Sequence, residues 1–330
     1  MLVACTLALG VAWRATAAEI NGPCALALDG HGTLYIAELV GRAIRGVDLR
    51  THEVRTVRTR KPFEIISGLA LDPVGNLFVL DSGKVRRVQV NDGSMQDVVA
   101  GGYASGWFAG DGGPAIAATL SLPMGLAFDR AGNLYIADTS NGRIRRVDAV
   151  TGIIQTVAGN GAREATGART TSGDGGPALQ AGLAYANSVA IDEAGDLFIS
   201  QSGYDPGDNR IRRVDARTGI ITTVHQSGGA ALVLDRNDNI FFIDGEFVRS
   251  IYAKTGALNT VAGAAKASYE DGGLATRTRL NGPSALAIDA DGNLFIAEYK
   301  GNRVRRVDAR TGRISTIAGN GLPHRNEVIM

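Results

Sequence analysis

Short apolar runs, each ending in an acidic turn, recur along most of the chain. Residues 25–29 read Ala-Leu-Ala-Leu-Asp, and five later segments repeat this alternation of small and large apolar residues. The aspartates that close the six segments are separated by 43, 57, 63, 43 and 54 residues: Asp29, Asp72, Asp129, Asp192, Asp235 and Asp289. After each aspartate come a turn and three further short runs, as at residues 133–138, 143–148 and 153–158. The repeat predicts six units of four antiparallel strands, A to D in chain order.

The turn residues favour the same interpretation. In most units the turn after strand A has the form Asp-x-x-Gly, where the aspartate accepts a backbone hydrogen bond and a glycine such as Gly132 adopts a positive φ. Asp238 replaces this glycine in unit five, and His52 replaces the glycine of the second turn in unit one. Aspartate and histidine tolerate the left-handed region better than most residues, so we expect both to be turn residues.

Six such units bury their faces only by packing radially around an axis, which predicts an all-β, six-bladed β-propeller with four antiparallel strands per blade. Residues 123–129 (Pro-Met-Gly-Leu-Ala-Phe-Asp), 132–138 (Gly-Asn-Leu-Tyr-Ile-Ala-Asp) and 141–147 (Asn-Gly-Arg-Ile-Arg-Arg-Val) resemble the NHL repeat. The resemblance extends over residues 22–319 and implies a propeller of the TolB-like class. Unit six has its own fourth strand, so the ring should close by packing, unless residues before Ile20 or after Gly321 lend a strand.

Composition and charge narrow the possible partners. Of the 330 residues, 45% are apolar and 20% are charged, which predicts a folded core and excludes intrinsic disorder. The 34 basic and 33 acidic residues give a net charge of +1, so no overall field attracts nucleic acid or an anionic membrane. With 6% aromatic residues, base-stacking platforms are scarce. We therefore expect no binding to nucleic acid or membranes. We also expect a monomer.

The first eighteen residues predict export. An uncharged apolar stretch runs from Met1 to Trp13, and Ala15-Thr16-Ala17 offers a small-x-small cleavage pattern. We interpret residues 1–18 as a signal peptide, residues 19–321 as one propeller and residues 322–330 as a C-terminal tail. The predicted location is extracytoplasmic, either periplasmic or secreted. After cleavage Cys24 would be the remaining cysteine, so no internal disulfide is expected.

The two faces of the predicted propeller differ in loop length. The D-to-A and B-to-C connections lie on one face, here called the insert face, and carry the long insertions: residues 101–122, 159–185, 202–208 and 263–282. Turns on the opposite, smooth face are uniformly short. Because binding sites concentrate on loops held by rigid scaffolds, the insert face is the candidate ligand face. Its aromatic residues are the candidate contacts: Tyr103, Trp107, Phe108, Tyr204 and Tyr299. Alternatively, Trp107 and Phe108 fold back to seal a gap between blades.

Acidic residues at the end of strand B lie close to arginines of strand C at the B-to-C corners. Strand B ends in an acid in five of the six units, and strand C supplies arginines that fall opposite or diagonal to it. We interpret these groups as structural pairs, shown by two corners: Asp138 with Arg143 and Arg145, and Glu298 with Arg303 and Arg305. An arginine ring that binds phosphate or RNA is the alternative. Three inserts also contain Asp-Gly-Gly, which we interpret as a capped turn that opens a short helix, with calcium binding as the alternative.

Enzymes on related propellers hold a metal at the mouth of the axis, near the start of strand A. The corresponding residues here are neither carboxylates nor histidines: Cys24, Ser67, Met124, Asn187, Ala230 and Ser284. The four histidines are dispersed along the chain, and no Gly-x-Ser-x-Gly elbow occurs. We expect no cofactor and no catalytic or metal-binding residues. The sequence favours a non-catalytic binding or scaffold module for a protein or carbohydrate ligand. A divergent propeller hydrolase or lyase with its site among the insert loops remains the alternative.

Overall fold

The computed structural model describes residues 19–90, 94–99, 108–162, 171–202 and 208–321. They form six four-stranded antiparallel sheets, and the strands within each sheet follow one another along the chain. This confirms the predicted six-bladed β-propeller with one repeat unit per blade.

The first three blades use strands β1 to β12. Blade 1 contains β1 (Pro23–Leu28), β2 (Thr33–Glu38), β3 (Ala43–Asp48) and β4 (Val54–Thr56). Blade 2 contains β5 (Ile66–Leu71), β6 (Leu77–Asp81), β7 (Lys84–Val88) and β8 (Met95–Val99). Blade 3 contains β9 (Gly125–Phe128), β10 (Leu134–Asp138), β11 (Arg143–Val147) and β12 (Ile154–Ala158).

The last three blades use strands β13 to β24. Blade 4 contains β13 (Ala186–Ile191), β14 (Leu197–Gln201), β15 (Arg210–Val214) and β16 (Ile221–His225). Blade 5 contains β17 (Leu232–Leu234), β18 (Ile240–Asp244), β19 (Phe247–Ile251) and β20 (Leu258–Ala262). Blade 6 contains β21 (Pro283–Ile288), β22 (Leu294–Glu298), β23 (Arg303–Val307) and β24 (Ile314–Gly319). Short 3₁₀ helices lie at Ala115–Ala117, Thr139–Asn141, Ala178–Gln180 and Ala275–Arg277.

The turns on the smooth face have the predicted chemistry. In the first turn of blade 3, the backbone N–H of Asn133 donates to Asp129 Oδ1 at 2.9 Å, and Gly132 has φ +85°. The two residues that replace glycine also adopt the left-handed conformation, with φ +61° at His52 and +60° at Asp238. The histidine and the aspartate are therefore turn residues, as the sequence predicted.

The hydrophobic core is divided into six clusters, and each cluster lies between two neighbouring blades. The alternation within strand A produces this arrangement. Leu26 and Leu28 pack toward blade 6, whereas Ala25 and Ala27 pack toward blade 2. Large side chains of each inner strand thus meet small residues of the preceding blade, which lets the inner strands approach closely.

Blade 1 and blade 6 close the ring by packing. Each keeps its own four strands, and their shared cluster includes Ile20 from the segment that precedes β1. Hydrogen bonds also cross the boundary: Ser284 Oγ donates to the carbonyl of Pro23 at 2.7 Å, and the Gly22 N–H donates to Asn302 Oδ1 at 2.9 Å. Within the described residues, therefore, no strand is exchanged between the first and last blades.

The described ranges also contain no helix of the length and apolarity that a membrane span requires.

Candidate binding face

The inner strands surround an axial channel of about 770 Å³. It is lined by strand A of every blade: β1, β5, β9, β13, β17 and β21. Because strand A runs from the insert face to the smooth face, its first residues lie at the insert-face mouth of the channel.

Small polar side chains at this mouth bind the backbone of the next blade. Ser67 Oγ donates to the Pro123 carbonyl at 3.0 Å, and Cys24 Sγ donates to the Ile66 carbonyl at 3.4 Å. Burial raises the pKa of the Cys24 thiol to about 12, and the carboxylate of Glu38 acts in the same direction. The thiol therefore stays protonated at neutral pH and is a poor nucleophile. These side chains join blades together.

Exposed apolar side chains surround one side of the mouth. We call Val40, Ile65, Leu122 and Met124 the apolar rim; all four are exposed, Leu122 by 50% and Met124 by 49%. Three of them line the mouth itself, and Val40 follows Leu39, which also lines it. Aliphatic side chains clustered in this way indicate an interaction surface, because single exposed apolar residues are ordinary but grouped ones are not.

Leu122 is held in an unfavourable backbone conformation. Its φ is +43°, and the corresponding residues before strand A in blades 1 and 6 are glycines, Gly22 at +64° and Gly282 at +65°. A bulky residue in the left-handed region costs about 1 to 3 kcal/mol, and such residues cluster at functional sites. The strain presents an apolar side chain where blades 1 and 6 have a glycine. Blades 2 and 4 also have a side chain at this position, Ile65 and Tyr185, and Tyr185 has φ +35°.

The predicted aromatic contacts are only partly described. Tyr103, Trp107 and Tyr204 lie outside the described residues. Phe108 is half-buried beneath the guanidinium group of Arg143, whose Cζ lies 3.7 Å from the ring centroid.

Tyr299 lies beside the apolar rim. A Cβ atom at Gly22 would lie 2.9 Å from Val40 Cγ2 and 3.1 Å from Tyr299 Cε2, so the two side chains flank this glycine. Tyr299 therefore extends the rim across the boundary between blades 6 and 1.

The two corners that the sequence singled out differ in geometry. Glu298 accepts hydrogen bonds from Arg303 Nε at 2.6 Å and from Arg305 Nη1 at 3.5 Å. Asp138 lies 3.5 Å from Arg145 Nη1 and accepts a 2.7 Å hydrogen bond from the Ser121 N–H. Arg143 donates instead to the carbonyls of Asn141 and Asn160, both at 2.8 Å. Burial raises the pKa of Asp138 despite these donors.

A second carboxylate, which the sequence did not predict, reaches the strand-C arginine in three blades. The aspartate of each Asp-Gly-Gly motif binds Nη2 of this arginine, at 2.7, 2.7 and 2.8 Å: Asp111 with Arg145, Asp174 with Arg212, and Asp271 with Arg305. The predicted short helix is present, but the predicted capping role is wrong, because the helix that starts at Ala115 has no side-chain cap. The aspartate binds an arginine of the next blade instead.

The glycines of the same motif pair with the outer edge of strand D in that blade. In blade 3, the Gly112 N–H donates to the Ile154 carbonyl at 2.8 Å, and the Ile154 N–H donates to the Gly113 carbonyl at 3.0 Å. Blades 4 and 6 repeat these bonds with Ile221 and Ile314. We call these three segments the outer caps: residues 110–115, 173–178 and 270–275.

The outer caps determine whether the strand-C arginine is buried. Arg145, Arg212 and Arg305 in the capped blades are fully buried. In the other blades Arg45, Arg86 and Arg249 remain partly exposed. A sequence signal for this difference exists, because the capped blades are those whose strand C begins Arg-x-Arg-Arg, as at residues 143–146, 210–213 and 303–306.

In the part of the chain that the structure describes, titratable side chains do not gather into a metal site. Within the residues that the structure describes, no group of three or more histidine, cysteine, aspartate or glutamate side chains has the arrangement to hold a metal ion. The described acids at the corners are instead engaged by arginines and backbone N–H groups.

Comparisons with known proteins identify the same class of domain. Residues 106–166 match the family model described as the Teneurin NHL domain. Teneurin-3 of Danio rerio is 30% identical over 227 residues, which make up 57% of this chain and 8% of that protein. The chain therefore corresponds to a small part of the relative's length.

Solved structures show the shared fold. Virginiamycin B lyase from Staphylococcus aureus aligns with a TM-score of 0.54 and 15% identity, over 93% of this chain and 87% of that chain. A chain of the nidogen/laminin complex aligns with a TM-score of 0.53 and 16% identity, over 72% and 79% of the two chains. Together with the family match, these similarities confirm the predicted NHL-repeat, six-bladed propeller.

Proposed function

We propose that this NHL-repeat propeller is a non-catalytic protein-binding module whose partner docks on the apolar rim of the insert face. The strained, exposed Leu122 carries the proposal, because the backbone conformation is costly and the residue nevertheless stays 50% exposed. A partner that covers Leu122 and Met124 would supply the missing burial. Contiguous exposed apolar groups on a soluble protein mark sites of protein–protein interaction.

The chemistry of the rim favours a protein over a carbohydrate. Its four members are aliphatic or thioether side chains, and the described aromatic residue beside them is Tyr299. Protein interfaces bury apolar and methionine side chains at their core. Two similarities support binding as a use of this fold: the family match to a teneurin domain and the propeller chain found in a complex of nidogen with laminin.

Peptides selected from a random phage-displayed library on the wild-type protein provide the probe. We expect peptides that bind the rim to bind the Leu122→Glu variant at least about tenfold more weakly than the wild type, since a buried unpaired charge costs more than 1.4 kcal/mol. The Val150→Glu variant is the control, because Val150 is also apolar and lies on the smooth face, where it is 93% exposed. Selected peptides that bind Leu122→Glu and wild type equally would contradict the proposed surface.

A second variant separates binding from stability. Leu122→Gly removes the side chain and relieves the left-handed strain, so it should stabilise the fold by about 1 kcal/mol while it weakens peptide binding. Thermal unfolding and peptide titration of the same preparation measure both effects. A destabilised Leu122→Gly protein would show that the side chain serves the fold.

We further propose that the module acts outside the cytoplasm. The support is the apolar stretch and the Ala15-Thr16-Ala17 pattern within residues 1–18, which lie outside the described residues. The intact mass of protein purified from its native host should correspond to a chain that starts near Ala18. A cytosolic protein that retains Met1 would refute export and leave the binding proposal untouched.

A further inference from the structure

The outer edge of blade 5 has the surface that receives an outer cap but has no cap. Leu258 in β20 pairs with Ile251, in the same register as Ile154, Ile221 and Ile314 of the capped blades. Those three isoleucines are fully buried, whereas Leu258 is 42% exposed. Tyr252, whose N–H bonds to the residue before Leu258, is also exposed. An apolar patch therefore lies where blades 3, 4 and 6 hold a cap.

The arginine that binds the cap aspartate is also present. Arg249 pairs with Thr260 in the register in which Arg305 pairs with Thr316. Arg249 Nε binds Asp244 Oδ2 at 2.6 Å and its Nη1 donates to Thr260 Oγ1 at 3.0 Å. The side chain is 28% exposed, compared with 0% for Arg305. In the capped blades the Nη2 atom binds the cap aspartate. Arg249 has no cap aspartate beside it among the described residues, and its side chain stays partly exposed.

The backbone of β20 is oriented for the same interaction. In blade 3 the N–H and C=O of Ile154 both point outward and bond to the two glycines of the cap. Leu258 occupies this position, since the adjacent turn closes with the same bond, from the Tyr252 N–H to the Ala257 carbonyl. Among the described residues, a cap segment forms a β-bridge beside only three outer strands, β12, β16 and β24. The bridged residues are Ile153, Ile220 and Arg313.

The connection into blade 5 explains the difference. Strand β16 ends at His225 and β17 begins at Leu232, so residues 226–231 span the whole distance to the inner strand. This segment contains no Asp-Gly-Gly sequence. Blade 5 therefore has the receptor surface and lacks the insert that would cover it.

We propose that the outer edge of blade 5 binds a segment of a partner protein that has the form Asp-Gly-Gly followed by small apolar residues. The partner's aspartate would pair with Arg249, its glycines would exchange backbone hydrogen bonds with Leu258, and its apolar residues would cover Leu258 and Tyr252. This is strand addition at a sheet edge, in which backbone bonds give affinity and side chains give specificity. The three outer caps of the same molecule define which ligand fits. The site is separate from the apolar rim and does not depend on it.

A synthetic peptide with the sequence of residues 172–180, Ser-Gly-Asp-Gly-Gly-Pro-Ala-Leu-Gln, is the probe. Titrated into isotopically labelled protein, it should produce saturable shifts of the Leu258 and Thr260 amide resonances. Arg249→Gln should weaken binding about tenfold, the equivalent of one lost charge-assisted pair. For the wild-type protein, the peptide with asparagine in place of its aspartate should have an affinity that is lower to the same degree.

The Arg236→Gln variant is the matched control, because Arg236 is an exposed arginine in the smooth-face turn of the same blade. Its affinity for the peptide should equal that of the wild type. The proposal is overturned if Leu258 shows no saturable shift, if the asparagine peptide binds equally well, or if the shifts appear at Ile154, Ile221 and Ile314, where the peptide would have displaced the chain's own caps. Unfolding curves for each variant establish that the fold is intact.

Discussion

Replacing Arg305 with alanine should lower the free energy of unfolding by about 3 to 5 kcal/mol, the cost of breaking a buried ion pair from one side. Arg305 is fully buried between two carboxylates, with Nη2 at 2.8 Å from Asp271 and Nη1 at 3.5 Å from Glu298. Its Nη2 also donates to the Glu270 carbonyl at 2.9 Å. Burial lowers the pKa of the guanidinium, with Arg303 adding to the effect and both acids opposing it. Without Arg305, the outer cap of blade 6 loses the ion pair of Asp271, and Glu298 keeps Arg303 as its partner.

Arg249→Ala provides the matched control, because Arg249 holds the same register in a blade without an outer cap. Its side chain and that of Asp244 are each about 30% exposed, so water screens the pair. We expect a loss of about 1 kcal/mol or less. Urea unfolding followed by circular dichroism gives both values. Equal losses for the two variants would show that the outer cap does not strengthen the arginine's role.

Replacing Gly125 with alanine should destabilise the protein by about 1 to 3 kcal/mol, the usual cost of overpacking. Gly125 begins the inner strand of blade 3, where blade 4 approaches closely. A Cβ atom here would lie 2.8 Å from the Asn187 carbonyl oxygen and 3.0 Å from Ser188 Cα. Both are backbone atoms of a paired strand, so they cannot move aside without separating the two blades.

Gly30→Ala separates this effect from the general effect of adding a methyl group. Gly30 lies in a smooth-face turn with nothing within 4 Å of the added Cβ and no positive φ. Thermal unfolding should show little change for Gly30→Ala and a clear loss for Gly125→Ala. If the two variants had the same melting temperature, close packing of the inner strands would not limit residue size at this boundary.

Most of the fold was predictable because its determinants are local. An aspartate followed by a positive-φ residue three or four positions later specifies most smooth-face turns, and strand-A alternation specifies which side chains face which neighbouring blade. The pairing of Glu298 with Arg303 follows equally from strand register. These features depend on residues within one repeat unit, and six copies of that unit make the pattern visible.

The candidate sites were less predictable, since they depend on contacts between distant segments. Asp111 and Arg145 are joined across an insert and two strands, and no local spacing brings them together. Leu122 occupies a position where its sequence neighbours give no sign of a left-handed backbone. Arg143 also departs from expectation, because the Phe108 ring and the carbonyls of Asn141 and Asn160 compete for its guanidinium. In each case the insert decides the outcome, and the insert sequences are the part that the repeat does not share.

The closure between blades 1 and 6 bears on how such a protein arises. Each of the six sheets is built from one uninterrupted stretch of chain, and the seam uses the same kind of apolar cluster as every other blade boundary. A tandem duplication that copies one stretch therefore adds one complete blade and creates no incomplete sheet. In propellers that share a sheet between their two ends, the first and last copies must diverge together to preserve that pairing. Here the genetic unit and the structural unit coincide, so each copy is free to acquire its own insert.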